Sequence, residues 1–144
     1  MSNVFTFTRG DSPLLVSVPH GGRLIPEEQQ ARMTRAGLAL PDTDWHVAEL
    51  YDFARELGAS MLVARYSRYV VDLNRPPDDG PLYEGQVATG LCPRYTFAGE
   101  PLYRDDAPVS QAEVADRVEG YWRPYHARLV QALDEVRARH GYAL

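Results

Sequence analysis

A short apolar run, Leu14-Leu15-Val16-Ser17-Val18, leads directly into Pro19-His20-Gly21-Gly22, and this junction limits the folds open to the chain more than any other feature. The run has the length and the Leu/Val content of a buried strand, and the glycines behind it read as a turn. Strands that are apolar on both faces are typical of parallel sheets covered by helices. Ligands in such folds bind beyond the carboxyl ends of the strands, which is where His20 stands.

The rest of the chain alternates in the same way. Phe5 to Phe7 reads as a short opening strand and Glu27 to Arg35 as a short polar helix. Pro41-Asp42-Thr43-Asp44 is a helix-start pattern, followed from Trp45 by Val47, Leu50, Tyr51, Ala54 and Leu57 at helical spacing and by Gly58 as a stop. Ser60 to Tyr66 predicts a second main strand and Arg68 to Leu73 a third, ended by Asn74-Arg75-Pro76-Pro77. Residues 76 to 109 are rich in Pro, Gly and Tyr, and their aromatics (Tyr83, Tyr95, Phe97, Tyr103) favour an ordered, functional loop. Ser110-x-x-Glu113 is a capping box opening a helical stretch to His140, with Pro124 expected to kink or break it and Gly141 to stop it. Tyr142-Ala143-Leu144 reads as the start of one more strand. This order predicts an α/β three-layer sandwich, one domain over residues 1–144.

Composition narrows the function. The 144 residues are 44% hydrophobic and 24% charged, ordinary for a globular domain with a sizeable core. The net charge is -5, and the 15 cationic side chains are scattered arginines, so no basic stripe for nucleic acid is present. The apolar runs are too short for a bilayer span, and residues 1–10 lack the basic-then-apolar order of a signal peptide. The single cysteine, Cys92, excludes an internal disulfide and suits a reducing, cytoplasmic setting. The sequence is silent on oligomeric state.

Several residues have the chemistry of a site. His20, with two glycines leaving its imidazole approachable, suits a zinc ligand; it equally suits a hydrogen-bonding turn histidine. Asp42 and Asp44 read either as metal ligands, or orienters of a ligating histidine, or as helix caps. Arg68, Asp72 and Arg75 surround an apolar strand, which is costly unless they pair or bind a ligand. Arg75 can grip a carboxylate in bidentate fashion with Asn74 adding an amide donor, and Arg68 can hold a developing oxyanion; the other reading is an internal Arg–Asp network. His46, His126 and His140 read as structural or surface residues, and Cys92 as a small buried hydrophobe.

Taken in order, Ser17 to Gly22, Asp42 to His46, Ser67 to Pro77, Leu82 to Gln86 with Thr89 to Pro93, Thr96 to Tyr103, and Tyr121 to His126 resemble the N-formylglutamate amidohydrolase (deformylase) family of histidine breakdown. The resemblance covers nearly the whole chain. It implies a zinc carboxypeptidase-like (phosphorylase/hydrolase-like) domain with a mixed sheet between helices, hydrolysing N-formyl-L-glutamate to formate and L-glutamate. It implies Zn2+ held by His20 and one of Asp42 and Asp44, with Asp44 preferred, although a His/carboxylate site also accepts other divalent ions. The Asp72-Leu73-Asn74-Arg75 string is also similar to that of aspartoacylase-type enzymes. That likeness puts Asn74 and Arg75 on the substrate's carboxylate and Arg68 on the transition state, though the Arg68–Arg75 spacing is one residue shorter here. The family pattern further implies an Asp-x-His-Ser motif carrying the third zinc ligand, and a glutamate base. Neither is found in these residues, so the expectation is a C-terminally truncated, incomplete amidohydrolase domain. Two alternatives stand beside it: a different N-acyl amino acid or peptidoglycan amide as substrate, and a non-catalytic remnant that binds an acidic ligand or nothing.

Overall fold

The computed structural model describes residues 3–79, 90–104 and 109–144. The resemblance motifs in Leu82–Gln86 and Thr89, and the aromatic Tyr83, lie outside them. Three strands form one mixed sheet in the order β1-β3-β2. β1 (Phe5–Thr8) runs antiparallel to β3 (Ser60–Ala64), with Phe5 opposite Ala64. β2 (Leu15–Val18) runs parallel to β3, with Leu15 opposite Ser60 and Val18 opposite Val63. The central strand is apolar on both faces, and Met61, Leu62 and Ala64 are buried. β2 is less enclosed than its composition suggests, since Ser17 is exposed. The predicted final strand begins as expected: the Leu144 amide donates to the Pro13 carbonyl at 2.9 Å, and the Leu15 amide donates to the Leu144 carbonyl at 2.7 Å. That reciprocal pair is the parallel ladder pattern on the outer edge of β2.

Three predicted elements come out differently. The stretch from Glu27 to Arg35 is not one helix: α1 (Glu27–Gln30) ends, and Thr34 accepts the Gly37 amide to cap a second turn, α2 (Arg35–Leu38). The stretch from Trp45 to Leu57 is also split, into α3 (Val47–Leu50) and α4 (Phe53–Glu56). Its start lies later than Asp42–Asp44 because His46 takes a left-handed backbone, φ 62°. Neither short helix has a side-chain cap.

The third difference is the expected strand from Arg68 to Leu73, which is irregular. Pairing stops at an isolated bridge between Leu24 and Tyr66, and Ser67 turns the chain by accepting the Tyr69 and Val70 amides, on its hydroxyl and carbonyl respectively. The apolar residues Tyr69, Val70, Val71 and Leu73 are buried without a ladder. Side chains satisfy their carbonyls instead: Gln29 donates to Tyr69 at 2.9 Å, Arg117 to Val70 at 3.0 Å, and His126 to Leu73 at 2.8 Å. A buried apolar run can be recognised in sequence, but its backbone partners are not written in it.

The C-terminal helical arm follows the prediction closely. Ser110 accepts the Glu113 amide at 3.1 Å and starts α5 (Gln111–Arg117). Glu113 does its share elsewhere, pairing with Arg32 and Arg117. The kink or break expected at Pro124 is present, since the arm comes as two α-helices, with the interruption before Pro124. A π turn over Val118–Trp122 precedes it, and α6 (Arg123–His140) continues to Gly141, whose φ of 81° closes the helix. Proline withholds one amide and needs room at the carbonyl four residues earlier, and the wider π turn supplies that room. α6 lies on β2 and β3. Tyr125 anchors it there, sharing a 2.7 Å hydrogen bond with the Ser17 hydroxyl and donating to the Leu62 carbonyl at 3.3 Å. No helix among the described residues is long and apolar enough to cross a membrane.

Candidate active site

β2 delivers His20 two residues beyond its end, and the turn that follows must pass close to the neighbouring backbone. A Cβ on Gly22 would stand 2.2 Å from the Tyr66 carbonyl oxygen, so only glycine fits. The Asp44 amide donates to the His20 carbonyl at 3.1 Å, which brings the Asp44 segment alongside. The imidazole thus lies between two acids. Its Nε2 is 2.6 Å from Asp72 Oδ1, and its Nδ1 is 3.7 Å from Asp44 Oδ2.

Asp72 is 1% exposed, deep in the irregular segment. Burial pushes its carboxyl up, but the His20 hydrogen bond and charge, the Asn74 amide at 2.9 Å and the Arg68 guanidinium outweigh this and leave it below its ordinary value. An ionised Asp72 accepts from the His20 Nε2–H. A neutral imidazole with that proton directs its Nδ1 lone pair toward the Asp44 carboxylate. In that form the lone pair and the carboxylate are a donor pair of the kind that suits a divalent cation. Two zinc ligands each about 2.0–2.1 Å from the ion stand roughly 3–3.5 Å apart, so the 3.7 Å pair fits with a small side-chain adjustment. A ligating histidine whose other nitrogen donates to a carboxylate is the usual outer-shell arrangement. Among the described residues, no group of three His, Cys, Asp or Glu side chains is arranged to hold a metal.

The two candidate aspartates separate. Asp44 faces His20. The Asp42 carboxylate is taken up in tying loops together, accepting from the Tyr69 hydroxyl at 2.5 Å and the Phe97 amide at 2.9 Å. Burial and the Asp42 contact push the Tyr69 phenol above its ordinary value, so it stays a donor.

Arg68 joins the cluster from the far side. It donates to Asp72 Oδ2 at 3.1 Å, lies 4.0 Å from Asp44 Oδ1, and rests on the Phe97 ring at 4.7 Å. Arg75 Nε is 4.0 Å from Asp72 Oδ2. The Asn74 side chain is exposed. The structure therefore gathers His20, Asp44, Arg68 and Arg75 around Asp72, even though Asn74 and Arg75 follow no strand. The contacts of Arg68 and Arg75 with Asp72 match the internal Arg–Asp network that is one reading of the sequence, and the bond of Asp72 to His20 is what sequence reasoning missed. Its signal was a carboxylate inside the apolar string Val70-Val71-Asp72-Leu73, which needs a partner when buried.

His46 is exposed and pairs with Glu49, while His126 is a backbone donor. Burial pushes the Cys92 thiol up to about 11, the state of an inert core cysteine. Of two clefts among the described residues, the larger, about 490 Å³, lies over the Gln29, Arg32, Glu113 and Arg117 network, whose charges are already paired with one another. The smaller, about 140 Å³, is lined by Gly21, Arg23, Asp44 and His46. It opens beside Asp44, the partner of His20.

A family model described as N-formylglutamate amidohydrolase matches residues 12–144. N-formylglutamate deformylase of Pseudomonas putida is 48% identical over 144 residues, all of this chain and 54% of that protein. The Pseudomonas aeruginosa N-formylglutamate deformylase is 49% identical over the same shares. The crystal structure of N-formylglutamate amidohydrolase from Ralstonia eutropha JMP134 matches with a TM-score of 0.81 at 28% identity, over 97% of this chain and 55% of that one. A gene product of Agrobacterium tumefaciens shares the fold, with a TM-score of 0.70 at 18% identity over 96% of this chain and 52% of that one. The chain thus spans about half the length of the curated relatives it matches.

Proposed function

Because the chain belongs to the N-formylglutamate amidohydrolase family, we propose that it serves the hydrolysis of N-formyl-L-glutamate to formate and L-glutamate. The observation that carries this reading is His20 held between Asp72 and Asp44, one ring nitrogen hydrogen-bonded to a buried carboxylate and the other facing a second carboxylate. His20 Nδ1 and Asp44 would hold Zn2+, or another divalent ion that accepts His and carboxylate donors. Zinc, when bound, supplies Lewis acidity that polarises a carbonyl and acidifies water. Catalytic zinc takes three protein ligands, so a donor beyond these two completes the site in the active protein.

The remaining chemistry belongs to the arginines. Arg68 sits 4.0 Å from Asp44, close enough to meet negative charge developing on a formyl oxygen near that donor pair. Arg75 and Asn74 would hold a substrate carboxylate, which limits the ligand to an acidic amino-acid derivative. We assign the fold to the three-layer, zinc carboxypeptidase-like class, which the mixed sheet and its helical cover support, with residues 1–144 as one incomplete amidohydrolase domain. We place the reaction in histidine breakdown and in the cytoplasm, where the single buried thiol of Cys92 is at ease.

A second reading is favoured by the two-donor count: a chain that binds an acidic ligand without turning it over. Zinc analysis of the purified chain with a formate-release assay separates them. About one zinc per chain, lost in His20→Ala and Asp44→Ala, together with formate release supports the hydrolytic reading. Zinc far below one per chain and no formate supports the second.

A further inference from the structure

The Tyr121-Trp122-Arg123-Pro124-Tyr125-His126 segment has no part in the chemistry above, yet two of its side chains grip the loop that carries the substrate clamp. The Trp122 indole N–H donates to the Arg75 carbonyl at 2.8 Å. His126 Nε2 lies 2.8 Å from the Leu73 carbonyl, and since a carbonyl only accepts, that nitrogen carries the proton. The two rings stack, with centroids 3.8 Å apart and planes 25° from parallel. Residues four apart share a helix face, so indole and imidazole form one rigid platform bearing two donors. Its opposite number is Asp72, whose carboxylate takes the Asn74 amide at 2.9 Å and whose carbonyl takes the Arg75 amide at 3.1 Å. The turn from Leu73 to Arg75 is therefore pinned from both sides.

We propose that Trp122 and His126 are positioning residues that set the Arg75 guanidinium in the acid-binding site. This rests on the reading of Asn74 and Arg75 as the carboxylate clamp. The Arg75 side chain is itself only 10% exposed and lies 4.0 Å from Asp72 Oδ2, and the platform fixes the backbone from which it extends. A donor placed on a carbonyl restricts the loop without touching substrate, and misplacement by a fraction of an ångström is enough to weaken a bidentate grip.

The test uses the full chain. Trp122→Phe keeps an aromatic ring and removes the N–H. His126→Leu removes the second donor, and His126→Gln restores an N–H near the same place. Nitrogen-15 relaxation of the Arg75 Nε–H reads the guanidinium directly, and calorimetric titration with N-formyl-L-glutamate reads the clamp. The expected result is a loosened Arg75 side chain in Trp122→Phe and His126→Leu, an affinity about tenfold weaker, and near-recovery of both in His126→Gln. The melting temperature should move by only a few degrees. In a double variant with Arg75→Ala, Trp122→Phe should add little, because the group it positions is gone. Unchanged Arg75 relaxation in Trp122→Phe overturns the proposal, as does uniform loosening of the whole chain, which would mark a general packing role. If Arg75 loosens as expected but the unaltered chain takes up no N-formyl-L-glutamate, the positioning role stands and the carboxylate-clamp reading falls.

Discussion

Residues 45–57 and 110–140 read alike in the sequence, each as an amphipathic helix with apolar residues at helical spacing, and they fold to opposite ends. In the second, Tyr125 and Val136 are each 1% exposed, and α6 is seated on the sheet. In the first, Leu50 is 69% exposed and Leu57 60%, with Trp45, Tyr51 and Phe53 also open to solvent. Periodicity states that a face is apolar; it does not state that something covers it. The second stretch has a side-chain cap and a sheet beneath it, whereas the first has neither a cap nor an unbroken backbone. A short helix without tertiary cover gains little from propensity alone, which explains the break at Tyr51–Asp52.

Four substitutions sharpen or break this contrast. The largest effect is expected at Tyr125→Ala, which empties a buried aromatic site and leaves Ser17 and Leu62 without their partner. A loss of about 3–5 kcal/mol in urea unfolding is the expected outcome, and a loss below about 1 kcal/mol would mean that α6 is not anchored there. Next comes Glu113→Gln, which takes the charged partner from buried Arg117 and from Arg32. Partial burial pushes the Glu113 carboxyl up, but the Arg32 hydrogen bond and the Arg117 charge outweigh it and hold it below its ordinary value. Its stabilisation is therefore complete above the unfolded-chain value, about 4.3, and disappears as pH falls through the lower folded value. Unfolding curves of the two proteins should differ at pH 7 and converge in strong acid.

A smaller effect, about 1 kcal/mol, is expected for Ser110→Ala, which removes the α5 cap; thermal unfolding followed by circular dichroism measures it. The smallest is at Leu57→Ser, where a mostly exposed side chain should matter by less than about 0.5 kcal/mol. A loss of 2 kcal/mol or so there would show that the 45–57 face is covered in solution, and the contrast would collapse.

The same contrast explains what was legible. β2, β3 and the Ser110 start could be read because each depends on residues close in sequence. The His20 turn was legible because Gly21 and Gly22 announce it. What failed was whatever depends on a distant partner. Val70, Val71 and Leu73 look like a strand, and only the arrival of Gln29, Arg117 and His126 at their carbonyls tells otherwise. Asp72 and His20 are 52 positions apart, and no local pattern joins them. The choice between Asp42 and Asp44 was open for the same reason: Tyr69 and Phe97, which claim Asp42, come from later loops.

The π turn at Val118–Trp122 has a consequence for how insertions and deletions would act on the arm. A π turn is an α-helix carrying one surplus residue, absorbed within a single turn so that the residues behind it keep their faces. Deleting a single residue from Val118–Trp122 would let the helix close into an ordinary α register and leave the following residues on their present faces, whereas deleting one from the regular turns of α5 would rotate everything behind it by about 100°. After that second deletion Tyr125 and His126 would leave the sheet and the Leu73 carbonyl together, though neither had been altered. For this arm the count of residues is as much a specification as their identity.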